Sequence, residues 1–261
     1  MKIDFGKVAQ PYLKSRDDIP NNFFESLALR GIQFKGKRIA DIGAGTGVLT
    51  RKIHKRGGEV VGIEPSTLID VAQQLNEKYL TSVPYRKEYA EQTSLQDQEC
   101  DLVTVFRAWH WFDREKTIKE VDRILKNHGV MIVGDSGFSL THPLVQETLS
   151  FLQKRSTVKA PGSKAESKQR INGFPVEWFT EWEDGGFDII EMYKKQYEVS
   201  FTIDQWCDRI ESISWLAEEK ADRRQEVMNE LKEHLIHTYA MQELVTIPHT
   251  YQLVILKKLK K

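Results

Sequence analysis

Apolar and polar positions alternate along the first half of the chain in a pattern typical of an α/β protein. Short runs rich in isoleucine and valine predict buried strands at residues 37–42, 59–64, 101–106 and 129–134. Between these runs, apolar residues recur every three or four positions, which predicts helices with one apolar face. In residues 66–79 that face is formed by Leu68, Val71, Ala72, Leu75 and Tyr79. Strands that alternate with helices predict a parallel sheet covered by helices on both faces.

Local signals predict where several of these elements begin and end. Ser66 and Asp113 are candidate N-caps, because a short polar side chain can accept a hydrogen bond from the first free backbone N–H groups of a helix. Gly57 and Gly58 predict the end of the helix that follows the first strand. Residues 84–90 predict a short edge strand. A helix is predicted to begin at Asp113, to continue through Leu125 and to end at residues 127–129, before the fourth main strand.

The second half of the chain is less regular. Residues 156–173 are polar and basic, which predicts a surface loop or lid. Residues 187–201 and 250–259 predict two late strands. The segment between them predicts a helical insertion whose apolar stripe is formed by Val227, Leu231, Leu235 and Tyr239. We see no internal repeat and no separate linker, so we expect a single domain over residues 1–261.

Composition and charge narrow the class of protein. The chain of 261 residues is 40% hydrophobic and 29% charged, which is ordinary for a globular enzyme or binding domain. Its 38 basic residues equal its 38 acidic ones, so no net charge favours a nucleic acid or an anionic membrane surface as partner. The first residues lack the apolar core of a signal peptide, and no apolar run is long enough to span a membrane. We therefore expect a cytoplasmic protein. Cys100 and Cys207 lack the spacing of a metal site, a redox motif or a disulfide framework.

The densest glycine pattern follows the first predicted strand. Gly43, Gly45 and Gly47 lie where the chain turns from strand into helix, and glycine there permits positive φ and close approach of a ligand to the backbone. The carboxyl edge of a parallel sheet is also where nucleotides bind in such folds. Asp41 ends the first strand. Glu64 ends the second, 17 residues beyond Gly47, and its position suits the hydroxyl groups of a ribose.

Two classes of nucleotide cofactor compete for this turn. A dinucleotide fingerprint, G-x-G-x-x-G/A, requires a small residue at its sixth position, where this chain has Val48. The carboxylate of Asp41 suits the cationic sulfonium and amino groups of S-adenosylmethionine better than it suits a pyrophosphate. The residues therefore favour the sulfonium cofactor, and NAD(P)-dependent oxidoreduction remains the alternative.

The segment "DIGAGTG" at residues 41–47 resembles the first motif of the class I S-adenosylmethionine-dependent methyltransferases, small-molecule type, which include type 11-like and trans-aconitate methyltransferase-like proteins. The similarity extends through specific motifs over residues 8–134. It implies an α/β fold with a doubly wound, mostly parallel, seven-stranded Rossmann-like sheet, an antiparallel last strand and a helical cap insertion. Residues 1–136 would form the cofactor-binding half, and residues 137–261 would carry the late strands with lid and cap insertions.

The same resemblance implies a set of cofactor-binding residues. Tyr12 and Arg16 are similar to a segment that closes over the cofactor, where Arg16 would pair with the carboxylate of its methionine part. Glu64 resembles the ribose-binding acid of the family, and Ala90 and Glu91 resemble residues that border the adenine, although Glu88 departs from the glycine found in many relatives. The whole set comprises Tyr12, Arg16, Asp41, Gly43, Ala44, Gly45, Gly47, Glu64, Pro65, Ser66, Ala90, Glu91, Phe106 and Arg107.

The reaction implied is methyl transfer to a small organic acceptor, with S-adenosylhomocysteine as the product. His110 is the candidate catalytic residue, acting as a general base, and simple packing of its loop is the alternative. Arg107 could instead orient a carboxylate acceptor, which needs no base. The aromatic side chains at residues 109, 111 and 112 could line the acceptor site or belong to the core.

His234 and His237 lack further ligands at suitable spacing, so we expect no metal. A protein that binds S-adenosylmethionine without catalysis is a third alternative, beside the methyltransferase and the oxidoreductase. We expect a small-molecule substrate, and we expect neither a nucleic acid nor a membrane as a partner. The acceptor and the oligomeric state cannot be read from the sequence.

Overall fold

The computed structural model describes residues 19–156, 168–216, 219–239 and 244–259. Tyr12 and Arg16 lie outside the described residues, as does most of the lid predicted at residues 156–173. The chain divides into two compact units. The larger is formed by Ile19–Ser136, Lys164–Lys195 and Tyr251–Lys261, and the smaller by Met1–Asp18, Gly137–Ser163 and Gln196–Thr250. The assignment of both units to one domain stays a prediction.

Helices and strands alternate through the first half of the chain, as the sequence pattern predicts. In chain order they are α1 (Asn21–Ala28), β1 (Arg38–Ile42), α2 (Val48–His54), β2 (Glu59–Ile63), α3 (Leu68–Lys78), β3 (Tyr85–Arg86), β4 (Cys100–Phe106), α4 (Arg114–Ile124) and β5 (Leu125–Phe138). They continue with α5 (Pro143–Gln153), β6 (Arg170–Ile171), β7 (Phe174–Pro175), α6 (Val176–Asp184), β8 (Phe187–Phe201), α7 (Ile203–Glu211), α8 (Ala221–Thr238) and β9 (Val245–Lys258).

The main sheet has seven strands in the order β3-β2-β1-β4-β5-β9-β8. The pairs from β3 to β5 are parallel. The sheet as a whole is mostly parallel with one antiparallel strand and is flanked by helices, so the predicted fold class is confirmed. Strands β1 and β4 are neighbours although β2 and β3 lie between them in sequence, and the direction of strand order therefore reverses between them. Such a reversal opens a crevice at the carboxyl edge of the sheet.

The core of the larger unit explains why these strands are so apolar. Val103 and Val105 of β4 and Met131 and Val133 of β5 are fully buried. On this core pack apolar residues of α4 and α6, which are Ile118, Val121, Ile124, Trp178 and Trp182. A strand that is covered by helices on both faces has no face exposed to water, which gives the nearly continuous apolar runs seen in the sequence.

The smaller unit has its own core, built around helices α5, α7 and α8. The predicted stripe of α8 is confirmed at Val227, Leu231 and Leu235, which are fully buried, while Tyr239 packs beside them partly buried. Helix α7 begins with a capping box, in which the Thr202 hydroxyl accepts from the Gln205 N–H at 3.2 Å and the Gln205 side chain accepts from the Thr202 N–H at 2.9 Å. This reciprocal pair satisfies two backbone donors that helix geometry leaves free.

The boundaries of some elements differ from the predictions for physical reasons. The helix α4 ends at Ile124, and β5 begins at Leu125, four residues before the predicted strand, because the backbone of Leu125 has already turned to extended angles. The predicted helix stop at residues 127–129 therefore lies within the strand. The N-cap residue of α3 is Thr67, one position after the predicted Ser66, although the Ser66 hydroxyl still accepts from the Leu68 N–H at 3.2 Å. Asp113 caps α4 as predicted, accepting from the Lys116 N–H at 3.3 Å.

Candidate functional site

Three parallel strands end side by side at the carboxyl edge of the sheet in the larger unit. Ile42 of β1 is in register with Ile63 of β2, and Asp41 is in register with Thr104 of β4. The residues that follow these strands therefore meet at one edge, at the point where the strand order reverses. This is the edge at which the sequence predicts a cofactor site.

The loop after β1, residues 43–47, adopts the left-handed turns that its glycines predict. Gly43, Gly45 and Gly47 have φ angles of 73°, 55° and 73°. The N–H groups of Gly43 and Ala44 both donate to the Ile63 carbonyl, at 2.9 and 3.0 Å. The loop, which we call the glycine loop, is therefore tied to the end of β2 and leads directly into α2.

Two of the three glycines are also required by packing within the chain. A Cβ at Gly43 would overlap the Ala108 methyl group and lie 3.1 Å from the Phe112 ring. A Cβ at Gly47 would overlap the Tyr85 hydroxyl. The sequence suggests a ligand as the reason for these glycines, and the fold adds a reason of its own, since protein atoms already fill both places.

Asp41 lies near the carboxyl end of β1 and is 2% exposed. Its two carboxylate oxygens accept from the hydroxyls of Thr104 at 2.7 Å and of Thr50 at 2.6 Å. Burial raises the pKa of Asp41 to about 6, against the opposing effect of the two hydroxyls, and the nearby Glu64 carboxylate raises it further. A buried acid whose ionised form is this costly suits a site that receives a positive charge.

Glu64 follows β2 and bridges the loops after two strands. One of its buried carboxylate oxygens accepts from the Gly45 N–H at 3.0 Å, and the other accepts from the Ser66 N–H at 3.0 Å. These contacts fix the side chain on the glycine loop. Each carboxylate oxygen has a second lone pair, so both can still accept from ligand hydroxyls. Pro65, between Glu64 and Ser66, is partly exposed beside it.

The segment matched to the adenine border divides between core and surface. Ala90 is buried in the core of the larger unit. The Glu91 carboxylate accepts from the Asp113 N–H at 2.9 Å, which links this segment to the start of α4. Glu88 accepts from the Ser94 N–H at 2.9 Å, so the acid that departs from the family pattern closes a local turn.

Phe106 and Arg107 end β4 and have different surroundings. The Phe106 ring packs edge-on against Phe23 of α1, at 5.3 Å between centroids. Arg107 has a φ of 61°, and its N–H donates to the Gly134 carbonyl at 2.8 Å. Its Nε donates to the Ser136 hydroxyl at 2.7 Å, so the guanidinium is held against the end of β5.

The aromatic segment after β4 forms a single 3₁₀ turn, Trp109–Trp111. Trp109 is 1% exposed and packs on Trp182 at 5.9 Å, so it belongs to the core. His110 and Trp111 are partly exposed and their rings lie 4.8 Å apart. Phe112 lies against Gly43, at the start of the glycine loop.

Four residues with a part in this site were missed by sequence reasoning. Thr50 and Thr104 hold the Asp41 carboxylate, and Arg51 and Tyr85 contact the glycine loop. Thr104 had a signal in the sequence, because it is the one polar residue within the apolar run at residues 102–106. The other three have side chains that also suit an exposed helix or an edge strand.

Neither a metal site nor a membrane helix is found in the described part of the chain. Residues 19–156, 168–216, 219–239 and 244–259 hold no group of three or more metal-ligating His, Cys, Asp or Glu side chains. His234 lies in the smaller unit, where it contacts the Glu147 carboxylate at 2.6 Å and stacks on Phe151. Within the same described ranges, no helix is both long and apolar enough to cross a membrane.

Comparison with known proteins identifies the part of the chain that carries this edge. Residues 40–133 match the family model described as a methyltransferase domain. An uncharacterized methyltransferase of Mycobacterium tuberculosis is 32% identical over 130 residues, which is 49% of this chain and 50% of that protein. The match thus spans about half the length of the first curated relatives.

Solved structures share the fold over more of the chain. A putative methyltransferase from Bacillus halodurans aligns with a TM-score of 0.55 and 17% identity, over 92% of this chain and 100% of that one. A phosphoethanolamine N-methyltransferase of Haemonchus contortus, solved with phosphomonomethylethanolamine and S-adenosylhomocysteine, aligns with a TM-score of 0.54 and 19% identity, over 98% of this chain and 58% of that one. Residues 40–133 thus match the methyltransferase domain model, and the sheet that carries them has the Rossmann-like fold of these solved methyltransferase structures.

Proposed function

We propose that the larger unit binds S-adenosylmethionine at the glycine loop and that the protein transfers its methyl group to a small organic acceptor. One observation carries the choice of cofactor. Two buried carboxylates, Asp41 and Glu64, flank the loop, close enough for the Glu64 charge to raise the pKa of Asp41, and both contribute negative potential there. That field attracts the sulfonium and ammonium groups of S-adenosylmethionine, and it repels the pyrophosphate of a dinucleotide.

The geometry of Glu64 fits the ribose of this cofactor. Its carboxylate is held by two backbone N–H groups, so it is oriented before a ligand arrives and keeps free lone pairs for two hydroxyls. The adjacent Gly45 has no side chain, so a ligand can approach its backbone. Asp41 lies too deep for a large ligand group and acts as a fixed negative charge beneath the methionine part.

The remaining cofactor assignments belong to the same proposal. The loop residues Gly43, Ala44 and Gly47 shape the crevice, and Pro65 and Ser66 extend it along the ribose. Ala90 and Glu91 border the adenine, and Phe106 and Arg107 border the methionine part. Tyr12 and Arg16, outside the described residues, are assigned to closure over the cofactor on the sequence resemblance alone. The set of lining residues is Gly43, Ala44, Gly47, Pro65, Ser66, Ala90, Glu91, Phe106 and Arg107.

The bound cofactor would supply an electrophilic methyl group. The work of this chain is then to hold donor and acceptor in line and to exclude water. We assign His110 the role of general base for a hydroxyl or amine acceptor, because it lies on the turn after β4 with a partly exposed ring. A small acceptor agrees with the Haemonchus contortus structure, whose bound phosphomonomethylethanolamine is itself a small molecule. A cytoplasmic location stays a prediction.

Thermal unfolding with candidate cofactors tests this proposal. S-adenosylmethionine or S-adenosylhomocysteine at a hundred times its Kd should raise the free energy of unfolding by about 2.7 kcal/mol, because the ligand binds only the folded state. NADH and NADPH should leave the melting temperature unchanged. Stabilisation by the nicotinamide cofactors alone would contradict the methyltransferase proposal and would favour an oxidoreductase.

Two variants, one at the start of β2 and one directly after it, give the test its residue-level control. Glu64→Ala removes the carboxylate at the carboxyl end of the strand and should abolish most of the stabilisation by S-adenosylhomocysteine. Glu59→Ala removes an exposed carboxylate at the amino end of the same strand and should leave the stabilisation intact. Equal stabilisation of the two variants would show that the ligand lies elsewhere.

A further inference from the structure

Arg51 is a buried cation beside the glycine loop, and its environment is unusual for its charge. Its side chain lies on α2, four residues after Gly47, and it is 7% exposed. Buried guanidinium groups are ordinarily paired with a carboxylate. The polar groups that Arg51 contacts within the described residues are a main-chain carbonyl and a tyrosine hydroxyl, both of them neutral.

The carbonyl that Arg51 holds belongs to the glycine loop itself. One terminal nitrogen of the guanidinium donates to the Thr46 carbonyl at 2.6 Å, a short charge-assisted hydrogen bond. Thr46 lies between Gly45 and Gly47, which both have positive φ. Glycine gives this backbone many alternative conformations, so a fixed bond to the Thr46 carbonyl removes freedom that the loop would otherwise have.

Tyr85 completes the contact from the edge strand β3. The nitrogen of Arg51 that bonds Thr46 also lies 3.4 Å from the Tyr85 hydroxyl. That hydroxyl occupies the space where Gly47 would carry a Cβ, and a Cβ at Gly62 of β2 would overlap the Tyr85 ring. Glycines at positions 47 and 62 thus make room for Tyr85 beneath the loop. Burial raises the pKa of Tyr85 while the Arg51 charge lowers it, and the hydroxyl stays neutral at neutral pH.

We propose that Arg51 and Tyr85 are positioning residues that hold the glycine loop in the conformation that binds the cofactor. They act from behind the loop, through Thr46 and Gly47, and leave its ligand-facing side to Glu64 and Gly45. The loop then needs less ordering when the cofactor binds, so the clamp contributes to affinity without touching the ligand. This inference rests on the proposed cofactor site.

Calorimetric titration with S-adenosylhomocysteine tests the clamp. Arg51→Met keeps the apolar stem of the side chain and removes its donors, and it should raise the Kd by about tenfold or more. Tyr85→Phe keeps the ring and removes the hydroxyl, and it should raise the Kd by a smaller factor. Arg51→Lys restores the charge and should recover part of the affinity. The matched control is Arg56→Met. Arg56 also donates to a main-chain carbonyl, that of Lys52 in α2 at 3.0 Å, but this carbonyl is not part of the glycine loop.

Hydrogen exchange of the unliganded protein separates positioning from general stability. Amide exchange in the peptide that contains residues 43–47 should accelerate in Arg51→Met and Tyr85→Phe, while exchange in β4 and β5 stays at the wild-type rate. A purely structural role would lower the free energy of unfolding and leave the Kd of the folded protein unchanged, which would overturn the inference.

The outcomes for the wild type and the variants are distinguishable. If the wild type binds S-adenosylhomocysteine and Arg51→Met, Tyr85→Phe and Arg56→Met all bind it equally well, the cofactor site stands and the clamp is wrong. If the wild type itself does not bind, the proposed function fails and the clamp fails with it. Should Arg51→Met not fold, Arg51→Lys and Tyr85→Phe still decide the question through the same two measurements.

Discussion

Replacing Gly43 by alanine tests why the first glycine of the loop is there. A Cβ at this position would overlap the Ala108 methyl group and lie 3.1 Å from the Phe112 ring, inside ordinary carbon contact distances of about 3.5–4.0 Å. The Ala108 methyl is attached directly to the backbone, so relief requires movement of the chain after β4. The residue also has a φ of 73°, which strains any side chain.

The size of the effect follows from two separate contributions. Left-handed backbone costs an alanine roughly 1–2 kcal/mol, and the stiffer unfolded chain returns about 0.4–1 kcal/mol. Overpacking of a tight site adds about 1–3 kcal/mol. Gly43→Ala should therefore lower the free energy of unfolding by about 2–4 kcal/mol. Gly31→Ala is the matched control, because Gly31 has a φ of 76° and open space where its Cβ would lie, so its loss should stay near 1 kcal/mol.

Urea unfolding at equilibrium measures both losses. The double variant Gly43→Ala/Ala108→Gly removes the methyl group that the new Cβ meets, so it should be more stable than the sum of the two single changes predicts. Equal losses for Gly43→Ala and Gly31→Ala would refute the reasoning, because they would show that only backbone strain matters at Gly43 and that glycine is not required there by Ala108.

Three further predictions concern buried groups and one helix cap. The native Asp41 carboxyl binds its proton more tightly than the unfolded one, so its contribution to the free energy of unfolding is present at low pH and is lost as pH rises to about 6. Asp41→Asn should remove this fall, which is on the order of 3 kcal/mol. Urea titrations of the wild type and the variant at several pH values measure it. Thr202→Ala breaks the capping box with Gln205 and should cost about 1 kcal/mol by the same assay, and an unchanged midpoint would contradict the cap. Burial raises the pKa of Cys100 and of Cys207 to about 12. Iodoacetamide at pH 8 should therefore leave both thiols unmodified in the native protein and should label both in urea. Rapid labelling of the native protein would contradict their burial.

The sequence predicts most of this fold because strands that are buried on both faces of a parallel sheet consist of nearly continuous apolar runs. The late strand at residues 187–201 has the same bounds in the sequence pattern and in the structure. The fold class is likewise confirmed, and the methyltransferase resemblance is confirmed over residues 40–133. Leu125 shows the limit, since an apolar residue between helix and strand suits either, and only the backbone angles decide.

The candidate site is less completely predictable. Motif spacing finds residues adjacent to the glycine loop in sequence, such as Asp41, and it also finds Glu64 through its place at the end of a strand. It cannot find Arg51 and Tyr85, which are 34 residues apart and meet only because β3 lies beside β2. A helical arginine and a tyrosine in an edge strand look like surface residues until the fold buries them. Packing also supplies a second reason for Gly43 and Gly47 that no spacing rule contains.

The central claim is that the glycine loop and Glu64 hold the cofactor. A crystal structure of the wild-type protein grown with S-adenosylhomocysteine tests it most directly. We predict ligand density against the glycine loop, with the ribose hydroxyls within about 2.6–3.2 Å of the Glu64 carboxylate oxygens. A ligand bound at another edge of the sheet, or an empty glycine loop at saturating S-adenosylhomocysteine, would contradict the account.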